Sequence, residues 1–277
     1  MLINHTAEKL RIMKLPAMAA EYLRQSESPS MDALGFDERA GMMVDAEWLS
    51  RENNRIDKLT KEAKLCYPSA CFADIDYRPS RRLDRAYIAR LSDFTWVRES
   101  KNLFLTGCTG TGKTWLSCAF GAEACRLGMR VAFYRVNRLL GEMTALTSFM
   151  EISRFLVKLN KADIMILDDW GSTTLTPVEC RLIKEVFEER CGRRSVIISA
   201  QPPVSVWHSL FEDPTVADSA LDRIVHYSHR LELQGPSMRS LTGKDQGGGA
   251  PGGVQVQNTY THSDLSTDSM HGGDPNV

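Results

Sequence analysis

Apolar positions along this chain change their spacing twice, and the changes divide it into three regions. Residues 1–66 carry helical spacing throughout. A first short helix is expected over Thr6–Gln25, with Leu10, Met13 and Leu15 ahead of Pro16 and Met18, Tyr22 and Leu23 behind it. Ser28, Pro29 and Ser30 then mark a loop. A long amphipathic helix follows from about Phe36 to Cys66; Trp48, Ile56, Leu59, Ala63 and Cys66 share an arc of roughly 100°, and Arg51, Arg55, Lys58, Lys61 and Lys64 fill the rest. These residues form a small all-α N-terminal domain. Pro68, Pro79 and the polar stretch between them read as a linker segment.

From about Asp76 to Gly235 short apolar runs alternate with helical stretches, as in a parallel α/β sheet covered by helices on both faces. The expected strands are Asn102–Thr106, Arg130–Val136, Asp163–Leu167, Ser195–Ala200 and His229–Leu233. This second domain is placed at 67–240. Residues 241–277 hold GGGAPGG and scattered Thr, Ser and Asp with almost no apolar side chains. Such a stretch buries too little surface to offset chain entropy and is expected to be disordered.

Composition narrows the function classes. Of 277 residues, 43% are hydrophobic and 25% charged, the profile of a soluble globular protein. No apolar run approaches the roughly 18 residues of a membrane span, and the N-terminus lacks a secretory h-region. No membrane partner is expected. The seven cysteines show no C-x₂-C pair; Cys66 and Cys71, the nearest to one, read as free thiols in a reducing cytoplasm. A net charge of −1 gives no global basic field. Nucleic-acid contact must therefore rest on local clusters, at 51–64 and 78–90.

Gly107-Cys108-Thr109-Gly110-Thr111-Gly112-Lys113-Thr114 satisfies G-x-x-x-x-G-K-[ST] in full. The glycines permit a tight turn that aims backbone N–H groups at phosphate oxygens, and the helix opening at Lys113 and Trp115 adds its positive end. Lys113 reaches the β- and γ-phosphates of ATP, and the Thr114 hydroxyl coordinates Mg²⁺. KNLFLT upstream is a buried strand and Gly128 closes the helix downstream, the context this loop requires.

A second apolar strand ends in Asp168-Asp169. Asp168 is the expected Mg²⁺ partner, and Asp169 the group that orients the attacking water. Many ATPases of this type have Glu at the second position, so Asp169 is one methylene shorter. Strand order suits P-loop ATPases with an extra strand inserted between the two motif strands. In that class a polar residue at the tip of the later strand touches the γ-phosphate. Gln201 occupies that place, and it reads either as this sensor or as a cap before Pro202-Pro203.

These motifs resemble the IstB-type transposition-helper ATPases, relatives of the DnaC helicase loader and the DnaA initiator within the AAA+ group. The resemblance runs from about Leu10 to Ser240 and is carried by KLRIMKLPAMAAEYL, FDERAGMMVDAEWLSRENNRIDKL, DIDYRPSRRLDRA, GCTGTGKTWLSCAFGAEACRLG, DIMILDDWG, DPTVADSALDRIVHYSHRLEL and GPSMRS. It implies that Arg223 is an arginine finger reaching a neighbouring subunit's ATP site, and that Arg239 is a second sensor that contacts nucleotide. The chain departs from the family at Pro236, where Glu more often precedes Ser-Met-Arg. The implied partners are double-stranded DNA, a cognate transposase and further copies of the chain, with ATP sites at subunit interfaces.

Arg51, Arg55 and Lys58, together with Arg78, Arg81, Arg82 and Arg85, are the DNA-binding candidates. They read equally as a solvated face paired with Glu47 and Glu62. Two functions share every ATPase residue: a duplex-bound activator of a transposase, and a helicase loader or replication-initiation ATPase that prefers single strands. A small-molecule kinase lacks an acceptor motif here.

Overall fold

The computed structural model describes residues 2–238, with side chains from His5 onward. Arg239 and the tail 241–277 lie outside the described residues.

Three helices open the chain: α1 (Leu2–Ile12), α2 (Pro16–Glu27) and α3 (Phe36–Ala63). The helix expected over Thr6–Gln25 is thus two. Proline has no N–H to donate and suits only a first helical turn, and Pro16 stands at the start of α2. Lys14, at φ 62°, makes the corner. The buried Glu47 carboxylate then accepts the Ala17 and Met18 N–H groups at 2.9 and 3.1 Å, tying α3 to the start of α2. α3 ends three residues before the expected Cys66, with Lys64 in the left-handed region. Its apolar stripe also meets the core only in part. Ala63 is buried and Ile56 and Leu59 half-buried, whereas Cys66 and Trp48 are exposed, Trp48 at 68%.

The segment read as a linker is instead anchored. Ala70 and Ile75 are buried, and the Phe72 ring meets Phe120 edge-on at 4.8 Å. Two short helices, α4 (Arg85–Leu91) and α5 (Thr95–Arg98), lead into the sheet.

That sheet alternates strand and helix as the spacing requires: β1 (Asn102–Gly107), α6 (Lys113–Arg126), β2 (Val131–Arg135), α7 (Val136–Thr144), α8 (Phe149–Leu159), β3 (Ile164–Trp170), α9 (Pro177–Arg190), β4 (Ser195–Ala200), α10 (Pro214–Val225) and β5 (Ser228–Leu233). The strands are parallel in the order β2-β3-β4-β1-β5, so β4 is the strand inserted between the two motif strands. Leu103, Leu105, Ile164, Ile166 and Ile197 pack in one core with α6. Phe104, Met165, Leu167, Val196 and Ile198 pack in the other with α7, α9 and α10. Burial on both faces explains why the strands read as continuous apolar runs.

Arg190 ties the amino edge of this sheet. It is 1% exposed, and its guanidinium donates to Leu159 O at 3.1 Å, Ala162 O at 3.1 Å and Ser195 O at 2.8 Å. These carbonyls lie at the end of α8, in the turn after it and at the start of β4, so one guanidinium joins three points of the chain. Arg190→Met removes all three charge-assisted bonds, and we expect a loss of about 3–5 kcal/mol in urea unfolding. A change below about 1 kcal/mol would show that water replaces the guanidinium.

Candidate active site

Parallel pairing brings the carboxyl ends of β1, β4 and β3 side by side, and every described candidate catalytic group except Arg223 sits at or just beyond them. β1 runs directly into the phosphate loop. Gly107 has φ 143°, and a Cβ there would fall 2.1 Å from Leu233 O of β5. Gly110 has φ 83°, and a Cβ there would fall 2.2 Å from Ser237 Oγ. These two glycines let the chain turn against β5 and the segment that follows it. Gly112 caps α6, whose first residue is Lys113.

Lys113 is 9% exposed and its ammonium donates to Gly107 O and Cys108 O, both at 2.8 Å. The side chain therefore spans the loop it belongs to. Thr111 is buried with its hydroxyl on Cys108 O at 2.8 Å, while Cys108 and Thr109 are exposed. Trp115 is half-buried against the α6-side core.

Thr114 and Asp168 meet. The Thr114 hydroxyl lies 2.9 and 3.1 Å from the two Asp168 carboxylate oxygens. Asp168 is 1% exposed, and the Ser199 hydroxyl also donates to it. Burial pushes the Asp168 carboxyl up, against the Ser199 and Thr114 hydroxyls that hold it down. This donor set is all oxygen, hard and anchored at the foot of the loop, which suits Mg²⁺. Ser199 was not singled out from sequence. Its signal is a hydroxyl in the otherwise apolar run Val196–Ala200, on the strand flanking Asp168.

A bulge separates the two acids. Leu167 pairs with Ile198 and Trp170 with Ala200, so Asp168 and Asp169 together face Ser199 alone. Asp169 takes the left-handed conformation, φ 61°. In a regular strand Asp169 would share the face of Met165 and Leu167. The extra residue lets buried Trp170 take that place, against Phe187 and Trp207, and turns Asp169 outward. The Asp169 side chain is 54% exposed, with Arg135 of β2 at 4.0 Å. Gln201 is exposed directly after β4, at the same carboxyl edge.

Arg223 is elsewhere. It lies in the last turn of α10, and the next residue's carbonyl accepts from Asn102 Nδ2 at 3.0 Å. Asn102 opens β1, whereas the phosphate loop follows its far end; six parallel-strand residues span about 17–20 Å. Arg223 pairs with Glu188 at 2.8 Å and with Ser219, not with Asp218 or Asp222, which hold His208 and His226.

The basic candidates separate. Arg51, Arg55 and Lys58 pair with Glu47, Glu52 and Glu62 along α3. Arg78 pairs with Asp76 at 2.6 Å. Arg82 and Arg85 are exposed, Arg85 over the Tyr77 ring at 5.4 Å. Arg81 departs from an exposed cluster altogether. It is 7% exposed and donates to Thr111 O at 2.6 Å, because the turn at Pro79–Arg81 aims it at the phosphate loop. A basic groove that sequence order concealed runs along the edge strand β2, lined by Arg130, Arg135, Arg138, Lys158 and Lys161 beside Asp169. Among the described residues no helix is long and apolar enough to cross a membrane.

Residues 6–246 match the family described as IstB-like ATP binding protein. The chain is 37% identical over 239 residues to an insertion sequence ATP-binding protein of Sinorhizobium fredii, covering 86% of this chain and 97% of that one. It is 40% identical over 205 residues to one of Pseudomonas fluorescens, covering 74% and 89%. In fold it is similar to DnaI (TM-score 0.52, 18% identity, 60% of this chain and 92% of that one). It is likewise similar to the replication initiator DnaA in a structure bound to AMPPCP and single-stranded DNA (TM-score 0.51, 18% identity, 65% and 54%). The α/β fold with its inserted strand is of the AAA+ type, and the chain belongs to the IstB-like ATP-binding family.

Proposed function

We propose that the protein hydrolyses ATP with Mg²⁺, assembles on double-stranded DNA with ATP sites between subunits, and recruits or activates the transposase of its insertion sequence. The observation that carries this reading is the buried Thr114–Asp168–Ser199 contact beneath a complete phosphate loop. Thr114 and Asp168 would hold Mg²⁺, which screens the phosphate charge as the γ-phosphoryl group departs. Lys113 exchanges its loop carbonyls for phosphate oxygens. Asp169, turned outward by the bulge, orients the attacking water, and Gln201 senses the γ-phosphate from the neighbouring strand tip. Arg223, on the opposite edge from its own loop, serves only the site of another subunit.

Duplex contact rests on Arg82, Arg85 and, in the groove along β2, Arg130, Lys158 and Lys161; Arg51, Arg55 and Lys58 are each paired with a glutamate, and Arg135 and Arg138 with Asp169 and Glu142. Phosphate contacts of this kind carry no sequence information and weaken with salt, with a log–log slope of about −0.9 per phosphate neutralised.

Steady-state ATP hydrolysis, measured with and without duplex DNA at two salt concentrations, tests the reading. We expect stimulation that fades with salt and coincides with growth into large particles. Equal-length single strands stimulating more strongly than duplex would favour a loader of a replicative helicase. Activity indifferent to any DNA, from a particle of constant small size, would defeat both.

A further inference from the structure

Two chain segments hold the phosphate loop from outside. Met238 N–H donates to Gly110 O at 2.8 Å, and the Arg81 guanidinium donates to Thr111 O at 2.6 Å. The segments are joined to each other, since Gln234 N–H donates to Arg81 O at 3.3 Å. A trans peptide is planar, with its C=O and N–H pointing opposite ways. Drawing Thr111 O toward Arg81 therefore turns the Gly112 N–H away from Arg81, toward the concave side of the loop where phosphate oxygens are received.

Arg81 also brings charge. It is buried, its Nε has no hydrogen-bond partner, and among the described residues no carboxylate forms an ion pair with it. Asp76, the acid nearest in influence, is paired with Arg78. Gly112 is so close that a Cβ there would lie 3.2 Å from Arg81 Nη2. A buried cation without an ion-pair partner is unfavourable unless a counter-charge comes near. A polyphosphate in the loop, one peptide plane away, supplies it.

We propose that Arg81 is a positioning residue for the nucleotide's phosphates, orienting the Thr111–Gly112 peptide and adding positive charge behind it, and not a DNA contact. This rests on the reading of the loop as an ATP site.

The test uses the full chain, a fluorescent ATP analogue with Mg²⁺, and duplex DNA retention. Arg81→Met should weaken binding of the analogue by about tenfold or more, the effect of one lost charge-assisted hydrogen bond. Arg81→Lys keeps a cation and a donor and should recover part of that affinity. Because the role is positional, KM for ATP should rise more than kcat falls, and duplex retention at saturating ATP should match wild type. Melting of the nucleotide-free variants separates this from general damage; should Arg81→Met not fold, Arg81→Lys with an intermediate affinity still carries the proposal. Wild-type analogue affinity in Arg81→Met, or lost duplex retention with normal affinity, would overturn it. Failure of the underlying reading looks different: the wild-type protein itself would not bind the analogue, and Lys113→Ala would change nothing.

Discussion

Arg223→Ala is expected to lower ATP turnover by about a thousandfold or more, the effect of removing an arginine finger, while ATP affinity stays within about twofold of wild type. The split follows from position. Arg223 is at the amino edge of the sheet and the loop at the carboxyl edge, so its own nucleotide is out of reach. What it holds in the single chain is Glu188, at 2.8 Å, in a pair about one-third exposed. A pair this exposed contributes little, so exchanging Glu188 for a neighbour's γ-phosphate costs little. Complementation gives the sharper test. Asp169→Asn subunits lack the proposed water-orienting acid but keep Arg223, and Arg223→Ala subunits are the reverse. Mixed at random in equal amounts, roughly one interface in four regains both groups, and activity should return from two inactive preparations. Normal turnover in Arg223→Ala, or no recovery on mixing, would remove the finger from Arg223.

Lys113→Ala should abolish measurable ATP binding, a loss of at least about a hundredfold from its charge-assisted contacts to phosphate. Lys113 stretches across the loop to Gly107 O and Cys108 O, so its ammonium is held within the proposed phosphate site. Calorimetric titration with ATP and Mg²⁺ measures the loss, and nucleotide-free melting shows whether the loop still folds. Retained affinity would mean that the loop's backbone N–H groups and the α6 dipole suffice for binding. Arg190→Met and Lys113→Ala thus probe different things at opposite edges of one sheet, stability at the amino edge and ligand at the carboxyl edge.

The candidate site was largely legible because its parts are local. Gly107–Thr114 is a contiguous motif whose backbone geometry its own glycines permit. Asp168 ends a run of four apolar residues, and that run reads as a buried strand. Ser199 was less visible, since a hydroxyl in a strand says nothing until the neighbouring strand is known. The Asp168–Asp169 bulge was invisible for a related reason. It arises where burying Trp170 against Phe187 and Trp207 outweighs regular pairing, and those rings are distant in sequence.

Charge was the least legible property. Arg78, Arg81, Arg82 and Arg85 look alike as letters. Yet Arg78 is paired with Asp76, Arg81 is buried on the phosphate loop, and Arg82 and Arg85 are exposed. Only the direction of a three-residue turn at Pro79–Arg81 distinguishes them. Helix α3 shows the same limit, since its stripe promised burial for Trp48, which is exposed.

The sequence by itself determined the alternation of strand and helix, the phosphate loop and the acidic strand end, because each depends on neighbours a few residues away along the chain. Tertiary structure alone decided that Arg81 serves the loop's carbonyl, that Ser199 and Thr114 share Asp168, and that Arg223 faces away from its own site. Those outcomes depend on which side chains meet across the sheet, and hydrogen bonds and burial act over a few ångströms of space, whatever the separation in sequence.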